Sequence, residues 1–237
     1  MIYLLLLAFT IYQLLPKTYT PTTEQGYKGS FELATNAVYF YYIIASLLDI
    51  LWIWVWPMEE ACASLIVMIA LWATLATLYV RITAIGETEE EWEEDTEALL
   101  ATSRQERPLM GETAYALTVV PFSAYFAWIT CMLATNLFAV FGVIDSKDPY
   151  HTFPYVIATV VILGFLAFAI LALQHDIVFT VVIVWALFGI SQGKAIHQYP
   201  GREAHWIYFL SIIFAGLLLV GIITVTTLKY TRFRSRA

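Results

Sequence analysis

Apolar residues fall into seven runs, roughly 1–15, 38–57, 61–82, 113–142, 153–173, 177–192 and 205–228, parted by polar stretches. A membrane-crossing helix needs about 20 consecutive apolar residues. The second, third, fifth and seventh runs meet that length. The fourth is longer, and Pro121 predicts that its regular helix begins or kinks there, because proline has no backbone N–H to donate. The sixth is short. His175 and Asp176 stand at its start, where an Asp caps a helix by accepting backbone N–H bonds. The first run, Met1 to Leu15, is too short to span easily. It has no basic opening, and Gln13-Leu14-Leu15-Pro16 is a poor cleavage site, so it does not read as a signal peptide. It reads instead as the later part of a helix that starts upstream. The pattern predicts an all-α fold: a polytopic membrane bundle of about seven helices, mostly antiparallel because the loops are mostly short.

Two connectors are long. Residues 16–37 are polar, with Lys17, Lys28, Pro21 and Gly26. Residues 83–112 carry Glu87, Glu89, Glu90, Glu91, Glu93, Glu94, Asp95 and Glu97. A run of like charge is ordinarily a solvated, self-repelling segment. A short helix from Thr88 to Leu100 fits inside it, with Thr88 as N-cap and Glu91 three residues on. A cation site is the sharper reading, but no spacing here matches a known metal loop. Basic residues set the orientation. One side of the bundle collects Lys17, Lys28, Arg81, Arg104, Arg107, Lys229, Arg232, Arg234 and Arg236; the other collects Lys147, Lys194 and Arg202. The positive-inside rule then predicts a cytoplasmic C-terminus and a multi-pass protein of the cell membrane.

Composition strengthens this picture. Of 237 residues 60% are hydrophobic and only 13% charged, against roughly 25% charged in an ordinary soluble domain. The lipid bilayer is therefore a partner of the fold. Net charge is −7, which leaves no basic footprint for nucleic acid. Eight Trp and fifteen Tyr suit interfacial belts and ring-lined pockets. Cys62 and Cys131 lie in separate apolar runs and read as packing residues.

Polar groups in lipid are costly, so each needs a reason. Asp49 sits in Ser46-Leu47-Leu48-Asp49-Ile50-Leu51-Trp52-Ile53-Trp54-Val55-Trp56. It should face the bundle interior and find a donor, or be protonated. Trp52 and Trp56 follow three and seven residues later, on the same helical face. A second stripe runs down the fourth segment: Tyr125, Trp128, Met132 and Asn136, spaced 3, 4 and 4. Asn136 should hydrogen-bond across helices. Core packing and a binding wall both fit these stripes. No hydrolytic constellation stands out. His151, His175, His197 and His205 lie at or near helix ends, which does not suit a buried metal or haem ligand pair. No metal or cofactor is required. Gly189-Ile190-Ser191-Gln192-Gly193 has helix-packing spacing but sits at a helix end. The last run has no internal Lys, so a retinal Schiff base has no home. Leu228-Lys229-Tyr230-Thr231-Arg232 and Leu75-Ala76-Thr77-Leu78-Tyr79-Val80-Arg81 fit a proposed cholesterol-contact pattern, and simple interfacial anchoring explains them as well.

On these stripes the chain resembles the TspO/MBR family, the tryptophan-rich sensory or translocator proteins. Tyr125, Trp128 and Asn136, with Pro121 upstream, look like that family's fifth helix. Pro121-Phe122-Ser123-Ala124-Tyr125-Phe126-Ala127-Trp128-Ile129-Thr130 looks like its long bacterial branch. Asp49 and Trp52 are similar to an Asn-x-x-Trp on its third helix, with Asp in place of Asn. Ile2 to Gln13 resembles the later part of its second helix. Asp176-Ile177-Val178-Phe179 and Trp185-Ala186-Leu187-Phe188-Gly189-Ile190 resemble the extra C-terminal helices of the long branch. The resemblance divides the chain into a family-like core over 1–142, lacking its first helix, and additional transmembrane helices over 143–237.

The resemblance implies a five-helix pocket for a flat hydrophobic small-molecule ligand such as a porphyrin, haem or sterol. Asp49, Trp52, Trp56, Tyr125, Trp128 and Asn136 are its expected lining. Indole faces stack on planar rings, and a few polar groups fix orientation. Membrane-embedded binding or sensing is the leading expectation, and a homodimer is compatible with it. The alternatives are a proton-coupled transporter that uses Asp49, and a porphyrin-degrading enzyme, for which the sequence offers no acid–base pair.

Overall fold

A computed structural model describes residues 2–14, 28–58, 60–99, 112–141, 149–192 and 202–236. Every regular element among them is helical. In chain order these are α1 (Ile2–Leu14), α2 (Lys28–Val55), a 3-10 turn (Trp56–Met58), α3 (Ala61–Leu99), α4 (Glu112–Val140), α5 (Pro149–Gln174), α6 (Ile177–Gln192) and α7 (Arg202–Arg236). Five stretches are long and apolar enough to cross a membrane: Val38–Met58, Ala61–Ile82, Val119–Phe138, Phe153–Gln174 and His205–Leu228. They coincide with five of the seven predicted runs. α6 is apolar but has 16 residues, a length of about 24 Å against a hydrocarbon core of about 30 Å. α1 is shorter still, at 13 residues.

Some expectations are corrected. Of the two readings of Pro121, a helix start or a kink, the start is excluded: α4 begins at Glu112 and passes through it. The acidic run is not a loop with a helix starting at Thr88. It is the continuation of α3, one helix of 39 residues, so Thr88 caps nothing. Glu and Ala are among the best helix formers, no proline intervenes, and the single Gly86 costs only about 1 kcal/mol. Cys62 is exposed rather than packed, whereas Cys131 is buried.

The chain sorts into two compact units, and α2, α3 and α4 each contribute to both. The first comprises Met1–Leu51 and Ala70–Phe126. Its core is a stripe on α3, Leu71, Leu75, Leu78 and Ile82, at spacings of four, three and four, the period that keeps side chains on one helix face. Tyr79 is buried and stacks on Phe126, ring centroids 5.2 Å apart, while Trp72 meets the same ring at 5.7 Å. Tyr79 is therefore a core residue and not an interfacial anchor. Arg81, at the exposed end of the stripe, lies 5.3 Å over the ring of Tyr41. Tyr42 packs edge-on against Phe122 at 5.6 Å.

The second unit comprises Trp52–Ile69 and Ala127–Ala237. In it α5, α6 and α7 pack against one another. Their buried positions repeat every three or four residues: Val160, Leu163, Ala167 and Leu171 on α5; Phe179, Ile183 and Leu187 on α6; Ile207, Ser211, Ala215 and Leu218 on α7. Gly164 lets the Phe214 ring lie where a Cβ would stand. α5 ends at Gln174, and His175 takes a left-handed conformation, φ 54°. That turn frees Asp176 to cap α6: its Oδ1 accepts the Phe179 backbone N–H at 3.0 Å. The cap read from the sequence is present.

Large apolar side chains remain exposed along the spans, among them Leu47, Trp54, Ile66, Ile162, Trp185 and Ile223. On a water-soluble protein such a surface would drive association. Facing lipid tails it is simply solvated, so the chain is an integral membrane protein. The spans differ in enclosure: 56% of the Val119–Phe138 window is buried against 17% of Val38–Met58, which makes α4 the most enclosed of the five.

Candidate functional site

α4 carries the polar group with the most interhelical bonds described. Asn136 is 1% exposed, near the end of α4. Its Oδ1 accepts two hydrogen bonds. One comes from the Ser64 hydroxyl on the first turn of α3, at 2.5 Å, and the other from Trp52 Nε1 on the last turn of α2, at 3.3 Å. Its Nδ2 donates to the Met132 carbonyl, one turn back, at 3.0 Å. Three helices thus meet at one carboxamide. An amide oxygen offers two lone pairs, and both are used here. The expected cross-helix bonding of Asn136 is present.

Trp52 is half-buried, held at its N–H by Asn136. Trp56 lies beside it, ring centroids 5.6 Å apart and planes inclined by 35°. It is not on α2, which ends at Val55, but opens the 3-10 turn, and it is 36% exposed. The two indoles form a shelf with one anchored ring and one open ring. Trp128, also half-buried, is not part of that pair. It packs against Trp185 of α6 at 5.7 Å and 40°, and Trp185 is 62% exposed.

Asp49 and Tyr125 belong to the first unit, where both are buried, at 8% and 2% exposure. Asp49 is a carboxylate inside an apolar span, as the sequence indicated. The structure thus gathers Trp52, Trp56 and Asn136 around one hydrogen-bonded centre, pairs Trp128 with a different partner, and encloses Asp49 and Tyr125.

Two members escaped the sequence reading. Ser64, in Ala61-Cys62-Ala63-Ser64, looks like one more small helix-packing residue, and only the fold reveals what its hydroxyl reaches. Trp185 stands in a C-terminal stretch with no spacing that ties it to Trp128. Of the histidines, His175 forms the α5–α6 turn and His205 lies in the first turns of α7; His197 lies outside the described residues.

Among the described residues, an all-helical bundle with five helices long and apolar enough to span, and a buried amide that joins three of them, defines a polytopic membrane protein. A family model described as TSPO-like protein matches residues 1–224, and the chain belongs to that family. The match runs through α5, α6 and most of α7. No curated protein and no solved structure matches the chain.

Proposed function

We propose that this protein binds a flat, lipid-soluble ligand, a porphyrin or a sterol, and that Trp52 and Trp56 supply the stacking surface. The observation that carries the reading is the indole pair itself: one ring fixed through Nε1, the other 36% exposed beside it. A fixed ring loses little freedom when a planar ligand settles on it, so less of the stacking energy is spent on ordering. Trp128, in the same unit, is a further proposed contact, and residues 1–142 form the family-like core with 143–237 as added helices. The test is a titration of protoporphyrin IX into detergent-purified protein, followed by quenching of tryptophan emission. Saturable quenching that weakens at least tenfold in a Trp52→Ala, Trp128→Ala double variant supports the reading. Unchanged affinity in that variant removes it.

A second reading rests on Asp49. A carboxyl buried at 8% exposure within an apolar span is costly unless it is used, and protonation is one use. In a proton-coupled transporter, proteoliposomes would show pH-dependent substrate flux that Asp49→Asn abolishes. Flux retained by that isosteric variant excludes the role.

A further inference from the structure

Most hydroxyls described in these helices turn inward on their own helix. Ser46 donates to the Tyr42 carbonyl, Thr74 to Ala70, Thr77 to Ala73 and Thr159 to Tyr155, each four residues back. That bond is the default for a helical Ser or Thr in apolar surroundings. Ser64 departs from it. At 1% exposure its hydroxyl reaches across to Asn136 at 2.5 Å. Asn136 in turn accepts from Trp52, and its Nδ2 is tied to Met132. With both lone pairs of Oδ1 engaged and the whole residue buried, the Asn136 carbonyl is committed to protein donors.

We infer that Ser64 and Asn136 are positioning residues for the Trp52 indole: Ser64 fixes the Asn136 carboxamide, and Asn136 fixes the ring that faces the ligand. Without the Ser64 hydroxyl, the carboxamide loses one of the three bonds that hold its plane. Its oxygen then no longer sits at a single place for Trp52 Nε1 to find. The ring remains present but is no longer held at one angle to Trp56, and a planar ligand must order it on binding. The inference accounts for why the Ser64 hydroxyl reaches across to Asn136 rather than back along its own helix. It also changes the part given to Asn136, from a group that touches the ligand to one that acts through Trp52.

Two measurements test the relay, and only the second rests on the ligand reading above. The first is ultraviolet resonance Raman of the full-length protein, with a Trp52→Phe difference spectrum isolating the Trp52 indole N–H marker band. Ser64→Ala should move that band toward the position of a weakly bonded N–H, and Ser64→Thr, which keeps the hydroxyl, should restore it. A band unmoved by Ser64→Ala overturns the relay whatever the protein binds. The second is a double-mutant cycle on protoporphyrin IX affinity. Ser64→Ala should weaken binding about three- to tenfold in the wild-type background, the loss expected of one buried hydrogen bond, and less than twofold in the Trp52→Phe background. An equal loss in both backgrounds, or no loss in the first, overturns the relay. No quenching by protoporphyrin in any variant removes the ligand reading, and the Raman result then decides the relay by itself.

Discussion

At the scale of single residues, the described bonds that join three helices centre on an amide, Asn136. Removing Asn136 leaves the Ser64 hydroxyl and the Trp52 N–H without their acceptor. Interhelical hydrogen bonds in membranes average about 0.6 kcal/mol and reach about 1.7. Asn136→Ala should therefore lower stability by about 1–2 kcal/mol, measured by unfolding in mixed detergent. A variant as stable as the parent would make the centre incidental. The importance of Asn136 could be read from the sequence because an amide inside an apolar run needs a partner. Its partners could not. Ser64 has no distinctive neighbours in the chain, and which hydroxyl meets which amide depends on how α3 lies against α4. Trp52 and Trp56 could be placed on one side by spacing alone. That Trp56 already stands outside α2 depends on Pro57, which ends the regular helix at Val55.

At the scale of elements, α6 depends on its first turn more than its neighbours do, because so short a helix has few internal bonds to spare. Asp176→Ala removes the acceptor of the Phe179 N–H, a loss of about 1 kcal/mol. Hydrogen exchange at the Phe179 amide should speed up by roughly fivefold, with α5 little affected. The α5–α7 contact makes a steric prediction. A Cβ on Gly164 would overlap the Phe214 ring, which also packs edge-on with Phe165 at 5.5 Å and so has little room to retreat. Gly164→Ala should destabilise by about 1–3 kcal/mol, the range for overfilling a packed interior. Phe214→Leu in the same chain should recover part of that loss. Hydropathy located five spans to within a few residues, because length and apolar content are what lipid requires. It did not join the acidic stretch to the helix before it: the turns from Thr88 on are helical, but they continue α3. Charge says a segment is solvated, but not whether it is helical, and a helix already nucleated at Ala61 adds Glu-rich turns at little cost.

At the scale of the whole molecule, membership of the TSPO-like family and five membrane-long helices fix the setting. If the apolar runs cross the membrane in alternation, nine Lys or Arg fall on one side and three on the other, which predicts a cytoplasmic C-terminus. A fluorescent protein that folds only in the cytoplasm, fused after Ala237, should be bright, and a periplasmic phosphatase fused there should be inactive. The reverse pattern would show that the basic residues do not set the topology.

α3 crosses the span Ala61–Ile82 and then runs on without a break to Leu99, seventeen residues or about 25 Å beyond it. The span and the segment beyond it are therefore one element. A proline placed at Ala84, just past the span, would interrupt a single hydrogen-bonded rod rather than a connector between two helices.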